Sequence, residues 1–225
     1  MKMTNPFRLG LALALGLTLS ACGTEKNPVV EAVKALPSTF LKKSDGEATG
    51  GVTEDQMTSL LAATPAPVEF FHFESRKAQF MMLEIERNGP YQSYGSPDRR
   101  GIVLRSGMIT ATRGFGGDLM SVEEDALLRL VQSRQAGSAS YQQRFLTPED
   151  VTETRTYTCD VTPGARQPVT AGEINGSGII MTALCRGEGV KFTNTYIVDN
   201  AGSIITGRQW IGFPIGYVGN QALRR

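Results

Sequence analysis

Along the chain, apolar positions change period three times. Leu9 to Leu19 is an apolar run broken only by glycines and Thr18, preceded by Lys2 and Arg8 and followed by small residues. A charged, then apolar, then small order is that of a secretory signal. The run is about half of the roughly 20 residues a spanning helix needs, so removal is expected and not retention. Val30, Val33, Leu36 and Phe40 then recur at helical spacing within Pro28 to Leu41, predicting a short amphipathic helix. Lys42 to Thr53 reads as a loop, with turn chemistry at Ser44-Asp45-Gly46 and Gly50-Gly51. Thr53 with Gln56 three residues on forms a capping-box pattern ahead of Met57, Leu60 and Leu61, and Pro65 and Pro67 stop that second helix.

Beyond Pro67 the period becomes two. Val68 to Phe73 and Ala78 to Arg87 are rich in aromatic and apolar residues and predict a hairpin, ended by Asn88-Gly89-Pro90. Phe80, Met82 and Glu84 share one face of the second strand; Met81, Leu83 and Ile85 share the other. Glu84 and Glu86 are expected to mark solvated positions. Gly101 to Arg105 and Met108 to Arg113 predict another hairpin through Ser106-Gly107. A helix is expected over about Val122 to Arg134, with Leu127, Leu128 and Val131 inward. Strands follow at Thr154 to Val161, Gly178 to Arg186, Lys191 to Val198 and Ser203 to Ile211, the last two joined by the hairpin turn Asp199-Asn200-Ala201-Gly202. Gly212 to Tyr217 reads as extended and apolar, and the tail as polar. The fold class is therefore mainly β: antiparallel sheets forming a sandwich or open barrel, with a few short helices packed at one end.

Composition sharpens the address. Leu19-Ser20-Ala21-Cys22 is a Leu-small-small-Cys lipobox, so residues 1–21 are expected to be cut away and Cys22 to carry lipid. Each buried methylene contributes about 0.8 kcal/mol, and two or three acyl chains make attachment effectively permanent. Gly23, where inner-membrane retention in enteric-type bacteria favours Asp, points to an outer-membrane anchor facing the periplasm. Residues 22–27 form the lipidated tether and 28–225 a single mainly-β domain. Loss of Lys2 and Arg8 turns 23 basic and 22 acidic residues into a slight acidic excess, which offers no footprint for nucleic acid. With Cys22 lipidated, Cys159 and Cys185 remain as an even pair in an oxidising compartment and are expected to form a disulfide. A metal role is disfavoured, because there is no Cys-x-x-Cys and His72 is the one imidazole. No cofactor is expected.

Gly114-Phe115-Gly116-Gly117-Asp118 superficially resembles a phosphate cradle, but no Lys-Ser or Lys-Thr follows and the third glycine of a dinucleotide fingerprint is missing. Arg113 and Asp118 bracket this loop and either face a ligand or pair with each other. Trp210, beside Gln209 and Arg208, either stacks on a sugar ring, with the neighbouring polar groups meeting its hydroxyls, or packs in the core. Glycan hydrolysis would need two carboxylates at a set separation, and Glu84, Asp118 and Glu123 are the candidates. A serine hydrolase is poorly supported, since no Gly-x-Ser-x-Gly elbow accompanies His72. A carrier of apolar ligands would require a large apolar cavity.

Two stretches carry a family resemblance: Gly107-Met-Ile-Thr-Ala-Thr-Arg-Gly-Phe-Gly-Gly-Asp-Leu-Met120, and Phe192-Thr-Asn-Thr-Tyr196 with Ile205-Thr-Gly-Arg-Gln-Trp-Ile-Gly212 and Gly216-Tyr217. They resemble the YjbF family, also called the group 4 capsule polysaccharide lipoprotein (GfcB-like) family, over most of the chain after Pro65. Gly207 departs from the pattern, where a serine is expected. The resemblance implies membership of an export system for capsule or exopolysaccharide, and with the lipobox it gives a non-enzymatic accessory role as the first expectation and a periplasmic glycan-modifying enzyme as the alternative. It implies the membrane, polysaccharide and other secretion proteins as partners, and it carries over no catalytic residues.

Overall fold

The computed structural model describes residues 51–225; the signal, Cys22, the tether and the helix expected over 28–41 lie outside the described residues. The first element is α1, Glu54–Ala63. Its capping box is present: Gln56 N–H donates to Thr53 Oγ1 at 3.2 Å, and Thr53 N–H donates to Gln56 Oε1 at 2.9 Å. Two backbone donors at the helix start, which have no partner within the helix, are thereby satisfied.

Twelve strands follow: β1 (Val68–Phe73), β2 (Ala78–Asn88), β3 (Tyr91–Gly95), β4 (Gly101–Arg105), β5 (Met108–Arg113) and β6 (Leu119–Glu123) precede helix α2 (Asp125–Ser133). After it come β7 (Gly137–Leu146), β8 (Thr152–Ala171), β9 (Ile174–Gly187), β10 (Val190–Val198), β11 (Ile204–Trp210) and β12 (Tyr217–Arg224). All belong to one antiparallel sheet ordered β5-β4-β3-β2-β1-β12-β11-β10-β9-β8-β7-β6, which curls into a nearly closed barrel. Every neighbour in the sheet is a neighbour in sequence except β1 and β12, where the first and last strands pair.

The seam lies between the edge strands β5 and β6, and side chains close it. Arg113 donates to the Leu119 and Met120 carbonyls at 2.9 and 3.2 Å, while Leu119 N–H donates to Thr112 Oγ1 at 3.0 Å. Further along β5, Gln209 from β11 takes both backbone groups of Ile109, accepting from its N–H at 2.6 Å and donating to its carbonyl at 3.3 Å. An amide side chain reproduces the donor and acceptor pair of a backbone peptide, so it can cap a strand edge as a neighbouring strand would.

Inside the barrel, one apolar core contains Phe71, Phe73, Met108, Leu119, Tyr141, Tyr157, Tyr196 and Val218. Leu127, Leu128 and Val131 of α2 enter it, as the helical period requires. Cys159 and Cys185 face each other across β8 and β9, fully buried, and are joined as a disulfide. Outside the barrel, α1 lies over β1 and β12, where Leu61, Val68, Phe70 and Leu223 form an outer core, and Val169, Ile180, Ile197 and Ile205 form a further small cluster. The β8–β9 hairpin bulges at Pro163/Arg166, and its tip meets β12, with Glu173 N–H donating to the Leu223 carbonyl at 2.8 Å.

Several expectations need correcting. The tail is not a polar appendage: β12 is a central strand whose Asn220 and Gln221 are buried. Gly212 to Tyr217 is not an extended segment but a turn with a cis Phe213–Pro214 bond leading into β12. The expected helix begins only at Asp125, because Leu119–Glu123 pairs with β7 as a strand. In β2 a bulge between Glu84 and Glu86 breaks the alternation, so Ile85 is exposed while the Glu84 side chain is only 10 % exposed.

Candidate functional site

The backbone ladder between β10 and β11 ends at Thr195 and Arg208, and beyond that pair the two strands fork. Side chains fill the fork. Trp210 N–H donates to Asn194 Oδ1 at 2.8 Å, Gln143 Nε2 donates to the Trp210 carbonyl at 2.8 Å, and Thr193 N–H donates to the Tyr217 phenol at 3.0 Å. The Trp210 ring is held among aromatic neighbours. It stacks on buried Phe192 at 6.1 Å between centroids and meets the edges of Tyr217 and Phe213 at 5.2 and 4.9 Å. Trp210 is half-buried, whereas Phe213 is 67 % exposed. Among the described residues no group accepts from the Trp210 indole N–H.

Three consecutive residues of the turn between β1 and β2 lock this region. Glu74 binds Arg208 through two parallel bonds of 2.6 and 2.8 Å, and the guanidinium lies 3.5 Å from the centre of the Tyr217 ring. A two-pronged guanidinium–carboxylate pair fixes orientation as well as charge. Ser75 Oγ donates to the Ile215 carbonyl at 2.7 Å, and Arg76 donates to the Phe115 carbonyl. The turn therefore ties the Trp210 strand, the 211–216 turn and the glycine loop together.

The glycine loop packs on the same region. Phe115 is buried and stacks on Phe73 at 4.3 Å. Gly117 has φ +76°, and a Cβ there would sit 2.2 Å from Cδ of Pro214, so only glycine allows the two loops to touch.

Each candidate contact residue and carboxylate singled out in the sequence has a place among the described residues. Asp118 accepts from Gly114 N–H, Phe115 N–H and Thr112 Oγ1, folding the glycine loop around its carboxylate. Arg113 donates to carbonyls of its own strand and of β6, and is not bonded to Asp118. Gln209 is fully buried on Ile109. Trp210 alone of these four reaches the aromatic surface. Glu84 is bonded to Arg87 and Gln92, and Glu123 to Arg144, so these carboxylates and Asp118 each have separate partners. His72 is half-buried, and burial lowers its pKa against the pull of Glu74. Among the described residues no cluster of three or more His, Cys, Asp or Glu is arranged to hold a metal. An open groove of about 690 Å³ runs along α1, lined by Leu60, Met81, Leu83 and Pro97.

The sequence reading missed Phe213, Tyr217, Asn194 and Gln143 as parts of the Trp210 environment. The aromatics had a signal, since Trp210, Phe213 and Tyr217 recur within one short stretch. The amides had none, because β7 and β10 meet β11 only in three dimensions.

A family model described as group 4 capsule polysaccharide lipoprotein gfcB, YjbF matches residues 42–223. Among solved structures the chain is similar to the hypothetical lipoprotein YmcC from Escherichia coli K12, at 13 % identity and a TM-score of 0.66. That match covers 81 % of this chain and 98 % of the other, and at such identity it is a likeness of fold. No curated protein matches.

Proposed function

The chain belongs to the YjbF family of group 4 capsule polysaccharide lipoproteins, and from that membership we propose that it is a non-enzymatic accessory factor of capsule or exopolysaccharide secretion. Lipid on Cys22 holds it to the outer membrane, with the barrel in the periplasm. It engages the polymer through the Trp210 surface.

The observation that carries the polymer contact is the half-exposed Trp210 ring beside the exposed Phe213. Flat aromatic faces stack on the C–H faces of sugar rings, and an adjacent N–H donor meets a hydroxyl. Support for binding over catalysis comes from the carboxylates: Glu84, Asp118 and Glu123 are each committed to partners that shape their own loops and strands.

The test uses the lipid-free Cys22→Ser protein with polymer purified from the producing strain. Trp210→Ala together with Phe213→Ala is expected to weaken binding by tenfold or more, about 1.4 kcal/mol. Binding of undiminished strength in that double variant removes this surface from the mechanism. For the anchor, Cys22→Ala is expected to move the protein from the membrane fraction to the soluble periplasm and to abolish incorporation of a palmitate analogue. Equal labelling of variant and wild type refutes lipidation at this position.

A further inference from the structure

Buried amides normally complete their hydrogen bonds, yet three fully buried polar atoms around Trp210 have no protein partner: Gln143 Oε1, Asn194 Nδ2 and Tyr196 Oη. The amide orientations are fixed. Asn194 must turn its oxygen to the Trp210 N–H, and Gln143 must turn its nitrogen to the Trp210 carbonyl, so neither can flip to relieve the deficit. What remains is a free acceptor on one amide and a free donor on the other, with the two amides bonded to the N–H and the carbonyl of the one residue Trp210.

Gln143 Nε2 also lies 3.4 Å from the Tyr141 phenol, Tyr141 acts on Tyr196 through its charge, and the Asn194 side chain lies within hydrogen-bonding reach of the Tyr196 phenol. Tyr141, Tyr196, Gln143 and Asn194 are all buried in the barrel interior, away from bulk solvent. A buried water typically makes about three hydrogen bonds to otherwise unsatisfied groups, and this arrangement offers one acceptor, one donor and one hydroxyl.

We infer that Gln143 and Asn194 form a hydrated amide clamp: they take the place of the missing β10 ladder partner of Trp210, and one ordered water joins their free ends to the Tyr196 phenol. They are positioning residues. The clamp holds the backbone of Trp210 at the point where β10 and β11 fork, and so sets where the indole meets the surface. Its biological meaning rests on the proposal that Trp210 faces polysaccharide, but the position of the ring is measured without any polymer.

Trp210 is the one tryptophan of the chain, so intrinsic emission reports this position alone. Asn194→Ala and Gln143→Ala are each expected to shift the emission to longer wavelength and to increase quenching by acrylamide. Asn220→Ala serves as the control, since Asn220 is an equally buried amide bonded instead to Glu69 and the Gly107 carbonyl. Unshifted emission in both clamp variants, or an equal shift in the control, overturns the inference. Two measurements on the wild type do not depend on the variants folding. Hydrogen exchange of the Trp210 amide is expected to be as slow as that of ladder amides in β11, and rapid exchange overturns the clamp. A high-resolution crystal structure is expected to show water density between Gln143 Oε1 and Asn194 Nδ2, and a direct amide–amide bond there overturns the hydration. Loss of polymer binding is read separately, so a sound clamp with no affinity for polymer sinks only the functional proposal.

Discussion

Glu69 shows how one side chain can control the pH response of the whole fold. It sits on β1 with Phe71 and Phe73 on the inward face, only 3 % exposed, and accepts from Asn220 Nδ2 at 2.8 Å. Burial penalises its charged form and raises the pKa from 4.5 to about 8, against the lowering effects of the Asn220 bond and the Arg225 charge. The sign follows from linkage. In the unfolded chain the group ionises near 4.5, whereas in the native barrel it keeps its proton to about 8, so the native state binds more protons between those values. Stability therefore falls as pH rises through that window, by about 5 kcal/mol at the upper bound, which local relaxation and water penetration reduce. Glu69→Gln keeps the oxygen that Asn220 needs and removes the titration. Urea unfolding at pH 5 and pH 9 is expected to give the variant nearly wild-type stability at the lower pH and higher stability than wild type at the upper. Parallel pH profiles for the two proteins would show that the carboxyl is not buried in solution as it is here. The alternation of β1 places Glu69 on the inward side, but the sequence does not reveal Asn220 as its partner, because that amide lies on the last strand.

Elements differ in how far local sequence determined them. The α1 start was legible because Thr53 and Gln56 satisfy each other within four residues, and the β4–β5 hairpin because Ser106-Gly107 supplies the turn. Gly117 belongs with these local features but acts on another element. A methyl group there would strain a φ of +76° and collide with Pro214. Gly117→Ala is expected to cost about 1–3 kcal/mol, from the residue's left-handed conformation and the collision together, measured as a lower urea midpoint. It should also red-shift Trp210 emission, because the 211–216 turn directly follows that residue. An unchanged midpoint would mean that the glycine loop does not press on the turn. By contrast, β7 and β12 were not legible, and the reason is chemical. On β7 the inward positions are Ala139, Tyr141, Gln143 and Phe145, and on β12 they include Val218 and Asn220, so amides stand where a binary apolar pattern expects apolar side chains. These amides meet backbone groups of other elements, Gln143 the Trp210 carbonyl at the fork and Asn220 the Gly107 carbonyl in the β4–β5 turn. A period-two reading discards such strands because it scores each side chain by polarity, without knowing which peptide group awaits it.

At the scale of the whole molecule, the sheet depends on one pairing that sequence proximity does not provide. β12 lies between β1 and β11, with Phe70 opposite Gln221 on one side and Thr206 opposite the same Gln221 on the other. Gln221 uses its side chain as well, accepting from Thr206 Oγ1 at 2.6 Å and donating to the Ile205 and Ala222 carbonyls. The strand also carries Val218 into the main core and Leu223 into the outer core under α1, so it joins those two clusters. Without β12 the sheet divides into a block from β1 to β5 and a block from β6 to β11, each with a new unsatisfied edge inside what had been the barrel wall. Unpaired buried backbone groups are costly, and an exposed apolar edge invites association between chains. A chain ending at Gly216 is therefore expected to lose cooperative unfolding altogether and to accumulate as aggregate, although it lacks only the last nine residues. Sedimentation and thermal unfolding followed by circular dichroism test this directly. A soluble truncated protein with one sharp transition would mean that the two blocks associate through side chains alone, and that the pairing of β1 with β12 is not what holds the barrel together.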